Sequence, residues 1–135
     1  FMLQKEVVER MAAGPGSKVY GRLSVMLQAY CTVTPLFVVP PGAFRPAPKV
    51  DSAVVRMVPL PPERIAVRNR GTFAAVVRAA FGQRRKTLRN ALQGVAESAQ
   101  IEAAGLRVEA RAEQVEVAGF VHLANLLHNA PPNAL

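Results

Sequence analysis

Val39-Pro-Pro-Gly-Ala-Phe-Arg-Pro-Ala-Pro-Lys-Val-Asp-Ser52 separates two β-branched, apolar runs and decides how the first half of the chain folds. Its prolines fix φ and remove backbone donors, which excludes the stretch from helices and from the middle of a sheet. We therefore predict a stiff, extended connection between antiparallel strands at residues 32–39 and 52–58. Because both runs are almost continuously apolar, we expect both strands to be buried.

Phe44 is the single aromatic side chain of this proline-rich connection. It has no apolar partner at the spacing of a strand or of a helix, so an amphipathic pattern does not explain its position. Two interpretations remain open at this point. Phe44 folds back as a plug over the core, which spacing alone favours, or it is presented to a ligand such as a nucleic-acid base.

Strand and helix patterns precede the connection, and only helical patterns follow Pro59, Pro61 and Pro62. Upstream, the sequence predicts a strand end at residues 1–4, a helix at 6–11, a turn at 14–16 and a helix at 21–30. The predicted fold class is α/β followed by all-α, with one unit at residues 1–62 and a unit of four short helices at residues 63–135. The chain begins without an initiator methionine and enters an apolar pattern directly, so we expect it to be part of a longer protein.

Basic residues are concentrated in the middle of the chain. The net charge is +8, and residues 64–90 alone carry eight basic and no acidic side chains. Such a local excess indicates a polyanionic partner, and nucleic acid is favoured over a membrane because no strongly apolar helix face accompanies the charges. A solvated basic face is the alternative interpretation.

The densest basic run is Phe81-Gly-Gln-Arg-Arg-Lys-Thr-Leu-Arg-Asn90. A helix through it would place a polar face opposite Leu88 and Leu92, formed by Lys86, Arg89, Asn90 and Gln93. Arg84 and Arg85 would lie beside the apolar stripe, so we predict that they precede the helix or extend their side chains past it to solvent.

Few other side chains indicate chemistry. Cys31 is the only cysteine, which excludes an intramolecular disulfide, and its apolar surroundings favour a small buried residue. His122 and His128 have no cysteine or carboxylate at ligand spacing, so we predict no metal site. No nucleophile-and-base pattern and no glycine-rich loop after a strand is visible. Without a membrane-spanning run or a leader, we predict a soluble, cytoplasmic protein with a binding surface.

Several motifs, taken in order and spacing, strongly resemble those of the ribosomal RNA adenine N6,N6-dimethyltransferase family, and most closely its bacterial small-subunit branch. They are Gln4-Lys-Glu6, Tyr20-Gly-Arg-Leu-Ser24, Phe44-Arg-Pro-Ala-Pro-Lys-Val-Asp-Ser52, Ala80-Phe-Gly-Gln-Arg-Arg-Lys-Thr-Leu-Arg-Asn90 and Arg111-Ala-Glu113. The resemblance covers nearly the whole chain but only the C-terminal portion of the family's architecture.

This resemblance implies the last strands of a Rossmann-like methyltransferase sheet, followed by a small helical RNA-binding domain. The family methylates two adjacent adenines of small-subunit ribosomal RNA with S-adenosylmethionine. Its cofactor loop and its Asn-Leu-Pro-Tyr catalytic motif precede the matching segment, so we expect no catalytic and no cofactor-binding residue in this chain, and no activity from it alone. The implied partners are the small ribosomal subunit and the missing N-terminal half of the enzyme.

The resemblance also implies site residues. Phe44 would stack on the flipped target adenine, and Lys49 and Ser52 would shape the same loop. The implied contacts to the ribosomal RNA backbone are Arg22, Arg84, Arg85, Lys86, Arg89 and Arg111. A stand-alone RNA-binding or ribosome-assembly module is the alternative, and a helix-turn-helix DNA-binding protein around Phe73 and Leu88 is a third hypothesis.

Overall fold

A three-stranded antiparallel sheet and two helices form the first part of the protein. The computed structural model describes residues 1–43 and 49–129. The elements of this part are β1 (Met2–Gln4), α1 (Lys5–Ala12), α2 (Arg22–Gln28), β2 (Cys31–Val39) and β3 (Ser52–Pro59), with a 3₁₀ turn at Pro41–Ala43. Each strand and helix predicted here is confirmed, with ends that differ by at most two residues.

The strand β3 lies between β1 and β2 and pairs antiparallel with both. The antiparallel pairing predicted around the proline-rich connection is thereby confirmed. Val39 lies opposite Ser52, next to the connection. Earlier in β2, the pairing register shifts between Pro35 and Phe37. A proline is tolerated at this point because β2 is an edge strand of the described sheet and its outer side requires no backbone donor.

One face of the sheet is covered by α1. Ala53 and Val55 of β3 are almost completely buried, and they pack against Val8 and Met11 of α1. This packing is expected, because residues two apart on a strand lie on one face of the sheet, and residues three apart on a helix lie on one face of the helix.

The opposite face of the sheet carries exposed apolar side chains. The prediction that both strands are buried was wrong, because no residue of β2 is buried and β3 buries only Ala53 and Val55. Met2, Phe37 and Val58 lie on this face and are 51%, 60% and 45% exposed. Leu36 and Val38 of β2 are also about half exposed. The described helices cover one face only, and β2 has a neighbour on one side only, so its apolar side chains remain in contact with solvent.

Four helices form the second part among the described residues, as predicted. They are α3 (Arg70–Gly82), α4 (Leu88–Ala91), α5 (Ser98–Ala103) and α6 (Val117–Asn129), with 3₁₀ turns at Pro62–Arg64 and Ala112–Gln114. Asn69 caps α3, because its side chain accepts a hydrogen bond of 2.9 Å from the amide of Thr72. The predicted apolar stripe of α3 is buried and consists of Phe73, Val76, Val77 and Ala80.

The main hydrophobic core contains residues from both sides of residue 62. Tyr20 and Val25, which precede the sheet hairpin, belong to the same buried cluster as Phe73 and Phe120 of the helical part. The Tyr20 hydroxyl donates a hydrogen bond of 2.7 Å to the carbonyl of Val115. Burial, with a smaller contribution from Glu116, raises the pKa of Tyr20 well above its usual range, so the hydroxyl remains a donor.

Candidate nucleic-acid interface

The basic run folds as a turn between α3 and α4. Helix α3 ends at Gly82 and α4 begins at Leu88, so Arg84 and Arg85 precede the helix, which is one of the two predicted arrangements. The polar helix face predicted from Lys86 to Gln93 was wrong, because α4 contains only four residues and Lys86 lies before it. We call residues 83–86 the basic turn.

The basic turn is held in place by buried side chains and backbone hydrogen bonds that follow it. Leu88 and Leu92 are completely buried. The amide of Leu88 donates to the carbonyl of Ala110 at 2.7 Å, and the amide of Arg89 donates to the carbonyl of Val108 at 3.0 Å. Because the backbone next to the turn is fixed, the exposed side chains of the turn extend from a rigid base.

The structure brings Arg111 beside the basic turn. An isolated antiparallel bridge pairs Thr87 with Arg111, although the two residues are far apart in the sequence. Arg85, Lys86, Arg89 and Arg111 are all exposed. Four of the six basic residues implied by the resemblance therefore lie on two neighbouring backbone segments, with their side chains open to solvent.

Arg84 differs from its neighbours because its side chain is attached to the first part of the protein. Its guanidinium donates hydrogen bonds to the carbonyls of Tyr20 and Lys18, at 2.6 and 3.4 Å. Its Nε atom lies 3.5 Å from a carboxylate oxygen of Glu113. The same Glu113 accepts a hydrogen bond of 2.8 Å at its carbonyl from the amide of Gly16. Arg84 and Glu113 thus connect the loop at residues 14–21 to the helical part.

Arg22 lies with Arg84 in a cleft of about 310 Å³ between α1, α2 and α3. Two further arginines that were not among the sequence-predicted site residues, Arg10 and Arg78, line the same cleft. Arg78 lies in the segment without acidic residues, which is a sequence signal that could have identified it. Arg10 gave no such signal, because its i,i+4 pairing with Glu6 is typical of an ordinary helix surface.

Phe44 lies outside the described residues, so its proposed stacking role stays a prediction. The residues at the two ends of the described connection are placed. Lys49 is exposed, and Ser52 begins β3, where it pairs with Gln4 and Val39. The predicted loop-shaping residues therefore lie where the connection enters the middle strand of the sheet.

Clusters of metal ligands and membrane-spanning helices are absent from the described part of the chain. Residues 1–43 and 49–129 contain no group of three histidine, cysteine, aspartate or glutamate side chains that could hold a metal ion. Within the same residues, no helix is long and apolar enough to cross a membrane.

Comparisons with known proteins give one consistent family. A family model described as "Ribosomal RNA adenine dimethylase" matches residues 1–129. Proteins from Xanthomonas campestris pv. campestris (strain B100) and Xanthomonas axonopodis pv. citri (strain 306), both described as "Ribosomal RNA small subunit methyltransferase A", are 74% and 72% identical to the chain over 126 residues. Each alignment covers 93% of this chain and 48% of the relative, so the chain spans about half the length of these relatives.

Solved structures agree with this family. The chain is similar to a dimethyladenosine transferase from Plasmodium falciparum, with a TM-score of 0.74 and 26% identity over 90% of this chain and 54% of that chain. It is also similar to the 23S rRNA methyltransferase ErmE, with a TM-score of 0.65 and 22% identity over 94% and 53% of the two chains; at that identity the likeness concerns the fold alone. The fold is mixed α/β, a sheet with helices, and the chain belongs to the ribosomal RNA adenine dimethylase family.

Proposed function

We propose that this chain is the C-terminal part of an S-adenosylmethionine-dependent enzyme that dimethylates two adjacent adenines of small-subunit ribosomal RNA. In this proposal the chain supplies RNA binding and one wall of the target-base pocket. Membership of the family supports it, as does the name of the two Xanthomonas relatives, which describes a methyltransferase of the ribosomal RNA small subunit.

The observation that carries the RNA-binding part is the cluster of exposed cations at the basic turn. Arg85 and Lys86 of the turn, Arg89 just after it and Arg111 on the bridged segment are exposed on a rigid backbone. Phosphate groups of folded RNA are bound by such cations, and the base sequence contributes little to contacts of this kind. The helical part would therefore bind the ribosomal RNA backbone near the target adenines.

The exposed apolar face of the sheet supports the proposal of a larger methyltransferase sheet. Apolar side chains such as Phe37 and Val58 are unusual on a solvated face, and an unpaired edge strand attracts other strands. In the proposal, the N-terminal half of the enzyme pairs with the free edge of β1 and covers this face. The sheet would then be the end of a Rossmann-like sheet. The helical domain would begin after residue 62 in sequence, with Tyr20 and Val25 of the first part packed into its core.

S-adenosylmethionine, which supplies the methyl group in this family, does not fit the described residues. A loop that cradles such a cofactor follows a strand and begins a helix, with glycines that let the backbone approach the ligand. The glycines with positive φ are Gly16, Gly94 and Gly105, and each follows a helix. In the proposal the cofactor is bound by the rest of the enzyme, and this chain binds RNA and orients the base.

The proposed role of Phe44 is to stack on the extruded adenine. A base that leaves the RNA stack loses its neighbours, and an aromatic side chain replaces part of that contact. The proline-rich connection begins at β2 and ends at β3, so its two ends are fixed by the sheet pairing of Val39 with Ser52. Because prolines restrict the backbone of this connection, the aromatic ring would be placed at a lower entropic cost than in a glycine-rich loop.

The helix-turn-helix hypothesis has little support. A recognition helix must be long enough to enter a major groove and present several side chains to base edges, whereas α4 has only four residues. The stand-alone RNA-binding module remains an alternative, since the basic turn would suffice for it. Methylation by the full-length protein distinguishes the enzyme from that module.

The test measures RNA affinity as a function of salt. The chain is titrated against a small-subunit ribosomal RNA hairpin with two adjacent adenines and against duplex DNA of equal length. Arg85→Ala/Lys86→Ala should reduce the slope of log Kobs against log salt by roughly one to two units, because each cation neutralises about one phosphate. The matched control, Arg64→Ala/Arg107→Ala, removes two exposed charges outside the turn and should leave the slope nearly unchanged.

Three outcomes would contradict the proposal. An unchanged slope in Arg85→Ala/Lys86→Ala would remove the basic turn from the RNA interface. Preference for duplex DNA would favour the helix-turn-helix hypothesis. Binding of S-adenosylmethionine by the 135-residue chain alone, measured by calorimetry, would contradict the assignment of the cofactor to the rest of the enzyme.

A further inference from the structure

Four arginines line the cleft between α1, α2 and α3, which we call the arginine cleft. They are Arg10, Arg22, Arg78 and Arg84, and the other lining residues are Val19, Gly21, Leu23, Phe81 and Gly82. None of these described residues is acidic. A cavity of about 310 Å³ with several guanidinium groups and an apolar remainder favours an anion, because the apolar wall lowers the local dielectric and strengthens each charge interaction.

The arginine cleft exists only because the two parts of the protein pack together. Arg10 and Arg22 belong to α1 and α2 in the first part, whereas Arg78 belongs to α3 and Arg84 to the basic turn. Ser24 holds the first pair in place, since its completely buried hydroxyl donates to the carbonyl of Arg10 and accepts from the amide of Gly21 at 3.1 Å. Residues far apart in sequence are thus assembled into one charged cavity.

Two of the four arginines are oriented by internal partners, and two are not. Arg84 donates to the carbonyl of Tyr20 at 2.6 Å, and Arg10 donates to the carboxylate of Glu6 at 3.1 Å. The ion pairs of the described residues are Lys5–Glu9, Arg10–Glu6 and Arg84–Glu113, and neither Arg22 nor Arg78 takes part in them. Both are exposed, so their charge is not neutralised within this part of the chain.

We propose that the arginine cleft binds one phosphate group of the RNA backbone, at a position separate from the basic turn. This inference rests on the proposed function and deepens it. Arg22 and Arg78 would form the direct contacts, because planar guanidinium groups match the oxygens of a phosphate. Arg10 and Arg84 line the same cleft, but their charges are largely balanced by Glu6 and Glu113. The volume suits one phosphodiester with its sugar, and a double helix is far too wide for it.

RNA is favoured over a free phosphate compound because the cleft continues into the basic turn. Arg84 lies in the cleft, and Arg85 is the next residue of the exposed turn. Because Arg84 and Arg85 are adjacent in sequence, an RNA backbone bound at the turn would pass near the cleft. Because both parts of the protein contact the same phosphate, bound RNA would also stabilise the packing of α2 against α3.

The test compares Arg22→Gln/Arg78→Gln with the matched control Arg64→Gln/Arg107→Gln in the full-length protein. Both pairs remove two exposed charges, and thermal melting shows whether each variant is folded. With the ribosomal RNA hairpin, the cleft variant should bind about ten- to a hundredfold more weakly at low salt, because charge-assisted hydrogen bonds are lost. Its salt slope should decrease by about one unit, the value for one phosphate, whereas the control keeps the wild-type slope.

Two further measurements complete the test. Arg78→Lys should keep part of the RNA affinity that Arg78→Gln loses, since lysine keeps the charge but lacks the planar guanidinium group. Calorimetry with pyrophosphate at constant ionic strength shows whether the cleft is a site for small phosphate compounds and not for RNA. The inference is overturned if the cleft variant binds RNA with the wild-type affinity and slope, or if it loses pyrophosphate binding while RNA binding is unchanged. In both cases a slope change in Arg85→Ala/Lys86→Ala would leave the proposed function standing.

Discussion

Replacing Arg84 with glutamine tests whether this side chain fastens the loop at residues 14–21 to the helical part. The variant loses donation to the carbonyls of Tyr20 and Lys18, at 2.6 and 3.4 Å, and the 3.5 Å approach to Glu113. A hydrogen bond from a charged donor contributes roughly 1.5–3 kcal/mol. The lower part of that range applies, because the Arg84 side chain is 41% exposed and its second hydrogen bond is long.

We expect Arg84→Gln to lower the free energy of unfolding by about 2 kcal/mol, most of it from the bond to Tyr20. The ion pair with Glu113 adds at most about 1 kcal/mol, since exposed pairs are weak. For a chain of this length a loss of about 2 kcal/mol lowers the melting temperature by roughly 6 °C. Urea denaturation followed by circular dichroism measures the first quantity, and a thermal scan measures the second.

Arg85→Gln is the matched control for Arg84→Gln. It removes the same charge from the next residue, whose side chain is exposed, so we expect a change below about 0.5 kcal/mol. RNA affinity should fall in both variants, but only Arg84→Gln should lose stability. Equal melting temperatures for the two variants would refute the assignment of Arg84 as a connection between the two parts. Its proposed role would then be limited to an RNA phosphate contact.

Two further predictions concern Tyr20 and Phe44. Tyr20→Phe leaves the carbonyl of Val115 without its 2.7 Å donor, so urea denaturation should show a loss of about 1–3 kcal/mol. Burial raises the pKa of Tyr20, so the wild-type protein keeps this stabilisation below the unfolded pKa near 10 and loses it as the pH rises above that value. Tyr20→Phe should lose less stability than the wild type over the same pH range. An equal loss in both proteins would contradict the burial of Tyr20. Phe44→Ala in the full-length protein should lower methylation roughly ten- to a hundredfold with little change in RNA affinity, because stacking on one base contributes about 1–3 kcal/mol; equal loss of both would exclude the stacking role.

The hairpin was predictable from sequence because its signals are local. Prolines restrict their own φ and that of the residue before them, and β-branched residues favour strands, so the connection and its two strands follow from neighbouring residues alone. The burial of the strands was not predictable in the same way. An apolar side chain such as Phe37 indicates that something covers it, but the sequence does not say whether the covering residues lie in the same described part of the chain.

The length of α4 shows a second limit. Leu88, Ala91, Leu92 and Val95 have helical spacing, yet the helix ends at Ala91 and the remaining residues form turns. Gly94 adopts a φ of 83°, which an α-helix does not contain. Periodicity reports which side chains face the core, and turns can continue that pattern after the backbone hydrogen bonds have changed.

The partners of the charged residues were the least predictable part of the candidate site. Arg84 donates to a backbone carbonyl 64 residues earlier in the chain, and a carbonyl carries no sequence signal. From the sequence, Arg84 and Arg85 are equivalent members of one basic run. Only the fold separates them, since the loop at residues 14–21 reaches the first and leaves the second exposed.

If the proposed RNA contacts are correct, the loop at residues 14–21 connects RNA binding to the stability of the whole chain. It precedes the sheet hairpin in sequence, but Gly16, Tyr20 and the carbonyl of Lys18 all form hydrogen bonds to the helical part. If an RNA phosphate contacts both Arg22 and Arg78, RNA binding stabilises the same interface that these hydrogen bonds stabilise. Linkage then requires that Tyr20→Phe, which weakens the interface, also weakens RNA binding when the interface is partly open. Stability and RNA affinity should fall together in such variants, whereas Arg85→Gln should lower affinity alone.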